Sequence, residues 1–237
     1  MLNAKRNYLH HMDFDVFVSK KSRLSLIWVV CLAIFCGCGP SEDPAAGERL
    51  KAGGAIVQKY NDQVVGLNTT RQPITAETAA DIAALGNLKN IDFTASELDD
   101  EILTAAVSGL NPVSLVLNET AVTDQGISAV SGFSRVEALF LRDTAVGDEA
   151  MKVVGKLSTL TELDLTGTKI TNDGLAHLGG LTNLKRLIVG STAIDDAGME
   201  NLKSLSGLSK LEVPETGVTP AGVKSLSTAV PGIVIQQ

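Results

Sequence analysis

Apolar residues return along this chain in one order and at one interval. Leu160, Leu163, Leu165, Ile170 and Leu175 are followed by Leu184, Leu187, Val189, Ile194 and Met199, then by Leu208, Leu211, Val213, Val218 and Val223, each set 24 residues after the last. Polar and small residues keep the same step, with Thr168, Thr192 and Thr216 in one place and Gly174, Gly198 and Gly222 in another. Stepping back gives Val136, Leu139, Leu141, Thr144, Val146 and Met151, then Pro112, Leu115, Leu117, Thr120, Val122 and Ile127, then Leu88, Ile91, Phe93, Ser96, Leu98 and Leu103. A fainter copy holds Val64, Leu67, Thr69 and Ile74. Register runs from about residue 64 to about residue 226 without an insertion, and a fixed period of about 20 to 50 residues marks a stacked repeat architecture.

One unit reads as strand, turn, helix and return. Leu163 and Leu165 alternate with Glu162, Asp164 and Thr166, the period-2 signature of a strand with one buried face. Thr168 falls where the chain leaves the strand, and Ile170 turns back to the core. Thr171-Asn172-Asp173-Gly174 supplies capping and turn residues. Leu175, Leu178 and Leu181 then make one apolar stripe of a short helix or 3₁₀ segment. Such a unit cannot bury its apolar face alone, so neighbours must stack. The expected fold is an α/β solenoid with a curved parallel sheet on the concave side and short helices on the convex side.

The pattern L-x-x-L-x-L-x-x-T-x-I-T-x-x-G-L resembles the leucine-rich repeat family over roughly residues 64 to 237. It is most similar to the subgroup with cysteine at the strand exit and I-T-D-x-G-L after it, as in Val122-Thr123-Asp124-Gln125-Gly126-Ile127, but Thr120, Thr144, Thr168, Thr192 and Thr216 take the cysteine's place, with Ser96 in the first clear copy. The resemblance implies that this side chain turns inward to satisfy backbone groups of the adjacent loop, which a hydroxyl does as donor or acceptor. The recurring glycines, with Ala150 in one unit, imply close packing between coils. A phosphate cradle would need them clustered before one helix. The subgroup's association with ubiquitin-ligase adaptors is not carried over, since no adaptor motif is present.

The ends complete the organisation. Residues 55–67 read as two apolar runs around Asn61-Asp62, a hairpin feeding the first coil, and Pro231-Gly232-Ile233-Val234-Ile235 reads as a last edge strand that closes a complete array. Near the start, Lys20, Lys21 and Arg23 precede an apolar stretch over 24–35, followed by Gly37-Cys38-Gly39-Pro40. This describes a secretory signal and falls short of the about 20 apolar residues of a membrane span. Cys38 after a small residue resembles the lipobox of bacterial lipoproteins, although Phe35 stands where that family prefers leucine. Ordinary signal cleavage, a retained anchor and a start at Met12 are the alternatives. The expected domains are a signal peptide over 1–37, a linker over 38–54 after a lipidated Cys38, a cap hairpin with a degenerate first repeat over 55–87, six repeats over 88–231 and an edge strand over 232–237. The expected location is a bacterial cell envelope, facing away from the cytoplasm.

Composition narrows the function. Cys31, Cys36 and Cys38 all lie in or at the end of the leader, so the repeats hold no disulfide, thiolate metal site or cysteine nucleophile. From Cys38 onward the chain carries 15 Lys and Arg against 25 Asp and Glu, a formal net charge of −10. That excludes a general nucleic-acid role and leaves a lipid chain as the source of membrane affinity. His177 reads as a solvated surface residue. Asp99-Asp100-Glu101 and Asp195-Asp196 fall where carboxylates favour a helix N-terminus. No nucleophile, base and orienting group converge, so no catalysis, metal or cofactor is expected.

Recognition of a protein partner remains, on the sheet positions that alternate with the core leucines. Strands about 4.8 Å apart would make Val116 and Phe140 neighbours, beside Arg142 and rimmed by Asn118 and Asp164, with Arg186 and Ile188 on the next strand. An outward aromatic beside an arginine has the composition of a contact hot spot. The expectation is a lipid-anchored scaffold that binds an unidentified protein partner there. The alternative is a structural or self-associating envelope component without a discrete ligand. A carbohydrate-binding module would want several aromatics on the sheet, and Phe140 is alone.

Overall fold

The computed structural model describes Asp43 and residues 45–237. The leader and Cys38 lie outside the described residues. Among those described, no helix is long and apolar enough to cross a membrane.

The chain opens with helix α1 (Ala46–Ala52) and an antiparallel hairpin of β1 (Ile56–Tyr60) and β2 (Gln63–Asn68). Asn61 and Asp62 turn it with φ of +50° and +61°, the conformation that a two-residue hairpin loop requires. Six strands follow, each 24 residues after the one before: β3 (Asn90–Asp92), β4 (Ser114–Val116), β5 (Ala138–Phe140), β6 (Glu162–Asp164), β7 (Arg186–Ile188) and β8 (Lys210–Glu212). Strand β9 (Val234–Gln236) continues the step. The helices between them are α2 (Ala76–Ala83), α3 (Asp100–Ala106), α4 (Asp124–Ile127), α5 (Asp148–Val154), α6 (Asn172–Ala176), α7 (Asp196–Asn201) and α8 (Pro220–Ala229).

The strands form one nine-stranded sheet in chain order, parallel from β2 to β9. Leu67, Ile91, Leu115, Leu139, Leu163, Leu187, Leu211 and Ile235 stand opposite one another in register. All but Ile235 belong with the helix leucines to a single core, and Ile235 packs against it. The α/β solenoid is thus the observed architecture, with sheet on one side and helices on the other.

The strand-exit threonines are buried or nearly so, and each donates its Oγ1 to the carbonyl three residues earlier: Thr120 to Leu117 at 2.7 Å, Thr144 to Leu141 at 2.7 Å, Thr168 to Leu165 at 2.6 Å, Thr192 to Val189 at 2.5 Å and Thr216 to Val213 at 2.8 Å. The bond closes the exit turn of its own coil. Ser96 differs, reaching back to the Thr69 carbonyl at 2.7 Å. Its hydroxyl serves the preceding coil instead.

Between strand end and threonine lies a second ladder that no residue type announces. Arg71, Ala95, Glu119, Asp143, Gly167, Ser191 and Glu215 all have φ between +52° and +68°, a left-handed conformation uncommon outside glycine. The amides of Glu119, Asp143 and Ser191 each donate to a carbonyl of the next coil at 2.8 Å. Contacts made from one coil to the next hold a conformation that the side chains alone would disfavour.

One boundary is corrected. The stretch 38–54, expected as a linker, contains α1, whose Ala46, Gly47 and Leu50 are buried. The open end of a solenoid exposes core and needs a cover, and α1 provides it. Arg49 fastens the cover by donating to Asp81 on α2 and to Asp43. Those carboxylates hold the Arg49 guanidinium above its ordinary pKa, Asp81 contributing most.

Candidate functional site

The sheet face away from the helices carries the positions that alternate with the core leucines. Strand pairing sets Val116, Phe140, Asp164, Ile188 and Glu212 side by side. Val116, Asn118, Phe140 and Arg186 are half-buried and Arg142 is exposed. Two residues depart from the expected exposure: Asp164 and Ile188 are buried, at 3% and 6%. Neighbours one strand spacing away on both sides, and the hydrogen bonds that follow, enclose them.

The Asp164 carboxylate accepts from the Thr166 amide at 2.9 Å, from Thr166 Oγ1 at 2.6 Å and from Arg142 Nη2 at 3.2 Å. A buried carboxylate is tolerated only when so paired. The arrangement recurs three coils earlier, where Asp92 accepts from the Thr94 amide at 2.9 Å and its hydroxyl at 2.6 Å, with Asn68 Nδ2 in place of the arginine at 2.7 Å. Asp-x-Thr at the end of a strand is therefore a structural clasp. Asn118 Oδ1 meanwhile accepts from the Arg142 amide at 2.9 Å, which fixes the backbone beside Phe140.

Towards β8 the face is tied to itself by charge. Arg186 donates to Glu162 at 2.5 Å and to Glu212 at 2.8 Å, and Lys210 lies 3.0 Å from Glu212. Glu212, and then Glu162, hold the Arg186 guanidinium above its ordinary pKa. Arg186, followed by Lys210, holds the Glu212 carboxyl below the usual range. Towards β2 lies a shallow cavity of about 150 Å³ lined by Gln58, Asn68, Asn90, Asp92 and Ser114 and bordered by Val116. The apolar pair Val116 and Phe140 thus sits between an amide-lined hollow and a closed ion-pair network.

The sequence reading assigned the acidic clusters only to helix N-termini and missed their larger role. Asp100 accepts from the amide and hydroxyl of Thr123 at 2.8 and 2.6 Å, and Asp148 does the same for Thr171 at 2.8 and 2.7 Å. Asp196 binds Thr219 likewise, while Asp124 takes the Gly147 amide at 2.6 Å and Asn172 the Asp195 amide at 3.2 Å. Each carboxylate or amide at the start of one helix staples the start of the next. The signal was the 24-residue spacing of Asp100, Asp124, Asp148, Asn172 and Asp196. The recurring glycines belong to the same staple: a Cβ at Gly126, Gly174 or Gly222 would collide with Oδ1 of Asp100, Asp148 or Asp196. Among the described residues no group of three or more His, Cys, Asp or Glu is placed to hold a metal.

Comparison with known proteins agrees with this geometry. A Leucine Rich repeat family model matches residues 156–179 and 180–203. A search of curated proteins found no match. Among solved structures, an internalin (inlF) of Listeria monocytogenes aligns with a TM-score of 0.56 at 18% identity, over 67% of this chain and 43% of its own. This chain thus spans less than half of that internalin. The internalin C2 of the same organism aligns with a TM-score of 0.55 at 16% identity, over 83% of this chain and 94% of its own. The described unit therefore has the leucine-rich repeat fold, and two of its coils match that family's own model.

Proposed function

We propose that the chain is a non-enzymatic recognition scaffold of a bacterial envelope, held to the membrane through a lipid on Cys38, with a protein partner docked on the sheet face. Leucine-rich repeat proteins generally mediate protein–protein interaction, and the net negative charge opposes binding to nucleic acid or anionic lipid. The observation that carries the reading is the pairing of Val116 with Phe140 in adjacent strands, half-buried and beside exposed Arg142. The side chain of Arg142 is 49% exposed and donates to Asp164 at 3.2 Å. A guanidinium this exposed suits an acceptor on the partner. Asp164, Ile188 and Arg186 form the frame, since engaging them would break bonds already made. The strand-exit threonine stands in for the cysteine of the cysteine-containing subgroup, and the leader routes the chain out of the cytoplasm.

Arg142 neutralises a buried carboxylate, so the test leaves it in place. Val116→Ala with Phe140→Ala should abolish capture of the partner from an envelope extract while the melting temperature holds. Equal capture by wild type and variant rules the face out. Cys38→Ser should move the protein from the membrane fraction to the soluble one and end labelling by a fatty-acid analogue. Retained labelling would place the lipid elsewhere.

A further inference from the structure

Among the described residues, the large apolar side chains that stand exposed are Ile56 at 63%, Tyr60 at 67% and Val234 at 55%. All three sit on the two edge strands, β1 and β9, and none on a helix or an internal strand. Edge strands offer unpaired backbone groups to another chain, and proteins commonly guard them with charge, proline or extreme shortness. Strand β9 is guarded by its length of three residues. Strand β1 has five residues and no proline. Its single charge, Lys59, is drawn away by Glu48 of α1 at 2.8 Å, on the side opposite Ile56, Gln58 and Tyr60. The irregularity in the hairpin skips Val65 of β2, so the outer edge of β1 runs without interruption.

The order of residues on that edge selects the occupant. Ile56, Gln58 and Tyr60 share one side of the strand, with the apolar residues two places before and two places after Gln58. We infer that β1 is a self-pairing edge, at which a second copy of this chain adds its own β1 antiparallel about a two-fold axis at Gln58. Such a contact is isologous and closes on itself. Ile56 meets the partner's Tyr60, Tyr60 meets the partner's Ile56, and the two glutamines face each other on the axis. Lys59 falls opposite the partner's Val57, so the two lysines are not opposed. The two nine-stranded sheets join through their caps, and the Val116 and Phe140 face stays open in both copies.

The test is the mass of the full chain in solution, measured by sedimentation across a concentration series. Wild type should reach twice the mass of a 24.8 kDa chain. Ile56→Lys with Tyr60→Lys should run as a single chain at every concentration, with an unchanged melting temperature. A second measurement uses a chain with Cys31, Cys36 and Cys38 changed to Ser. There, Gln58→Cys should give a disulfide-linked dimer on mild oxidation, and Val234→Cys should not. Wild type that stays a single chain overturns the inference. So does a dimer that survives the double lysine change, which would trace association to the leader, or a series of larger assemblies lost with Val234→Lys, which would trace it to β9.

Discussion

The threonine at the strand exit shows how one hydroxyl closes the turn of its own coil. Thr168 is 6% exposed and its Oγ1 lies 2.6 Å from the Leu165 carbonyl. That carbonyl also accepts from the Thr168 amide at 3.2 Å, so losing the hydroxyl weakens the turn and leaves one bond. Thr168→Val keeps the shape and should destabilise the protein by about 1 kcal/mol, read as a lower midpoint in urea. An unchanged midpoint would show that the hydroxyl contributes nothing net. The inward turn of this residue was legible because the family pattern marks the place. The left-handed residues were not, because Arg71, Ala95, Glu119, Asp143, Gly167, Ser191 and Glu215 share a conformation and no chemistry. A backbone state imposed by the neighbouring coil leaves little trace in the side chain that adopts it.

Between elements, the coils are joined by more than sheet and core. Asp148 at the start of α5 holds the amide and hydroxyl of Thr171, and Gly174 leaves the space its Oδ1 occupies. Gly174→Ala should cost about 1–3 kcal/mol by overpacking, because an aspartate pinned at both oxygens cannot swing aside. Asp148→Ala should cost about 1 kcal/mol through the lost cap bonds. The double variant should be more stable than the sum of the two predicts, since removing the carboxylate makes room for the methyl. Strict additivity in thermal melts would refute the staple. Period and alternation made strand, helix and core legible, as with Leu163, Leu165 and Leu175. The burial of Asp164 and Ile188 was illegible, because alternation tells which side of a strand a residue takes and not how closely its cross-strand neighbours enclose it. Helix α1 was illegible for a related reason: it covers one end only, so it has no repeat to announce it.

Over the whole molecule, charge is spread as local pairs on a net-negative chain, and this sets the response to acid. Arg186, then Lys210, lower the Glu212 carboxyl, and Thr219 lowers that of Asp196. A carboxyl lowered in the folded state contributes stability that is fully present above its ordinary value, 4.5 for Glu212, and is lost as pH falls through the lowered value. Glu212→Gln should therefore melt below wild type at pH 7, and the gap should close as the pH is taken well under 4.5. A gap that stays constant with pH would assign the effect to packing.

The sheet advances one strand per 24 residues, and every ladder advances with it: Leu139 to Leu163 to Leu187 in the core, Thr144 to Thr168 to Thr192 at the exit, Asp124 to Asp148 to Asn172 at the helix starts. Any two points one period apart are thus the same address on different floors. Joining Leu160 directly to Lys185 would excise a floor, bring Phe140 beside Ile188 and leave the leucine and threonine ladders unbroken, with Asp195 in place of Thr171 opposite Asp148, whereas a cut of half that length would put strand residues against helix residues throughout. The gene can shorten or lengthen in whole coils without renegotiating either cap, so the number of coils between the caps is a quantity that duplication and loss can change while the fold stays the same.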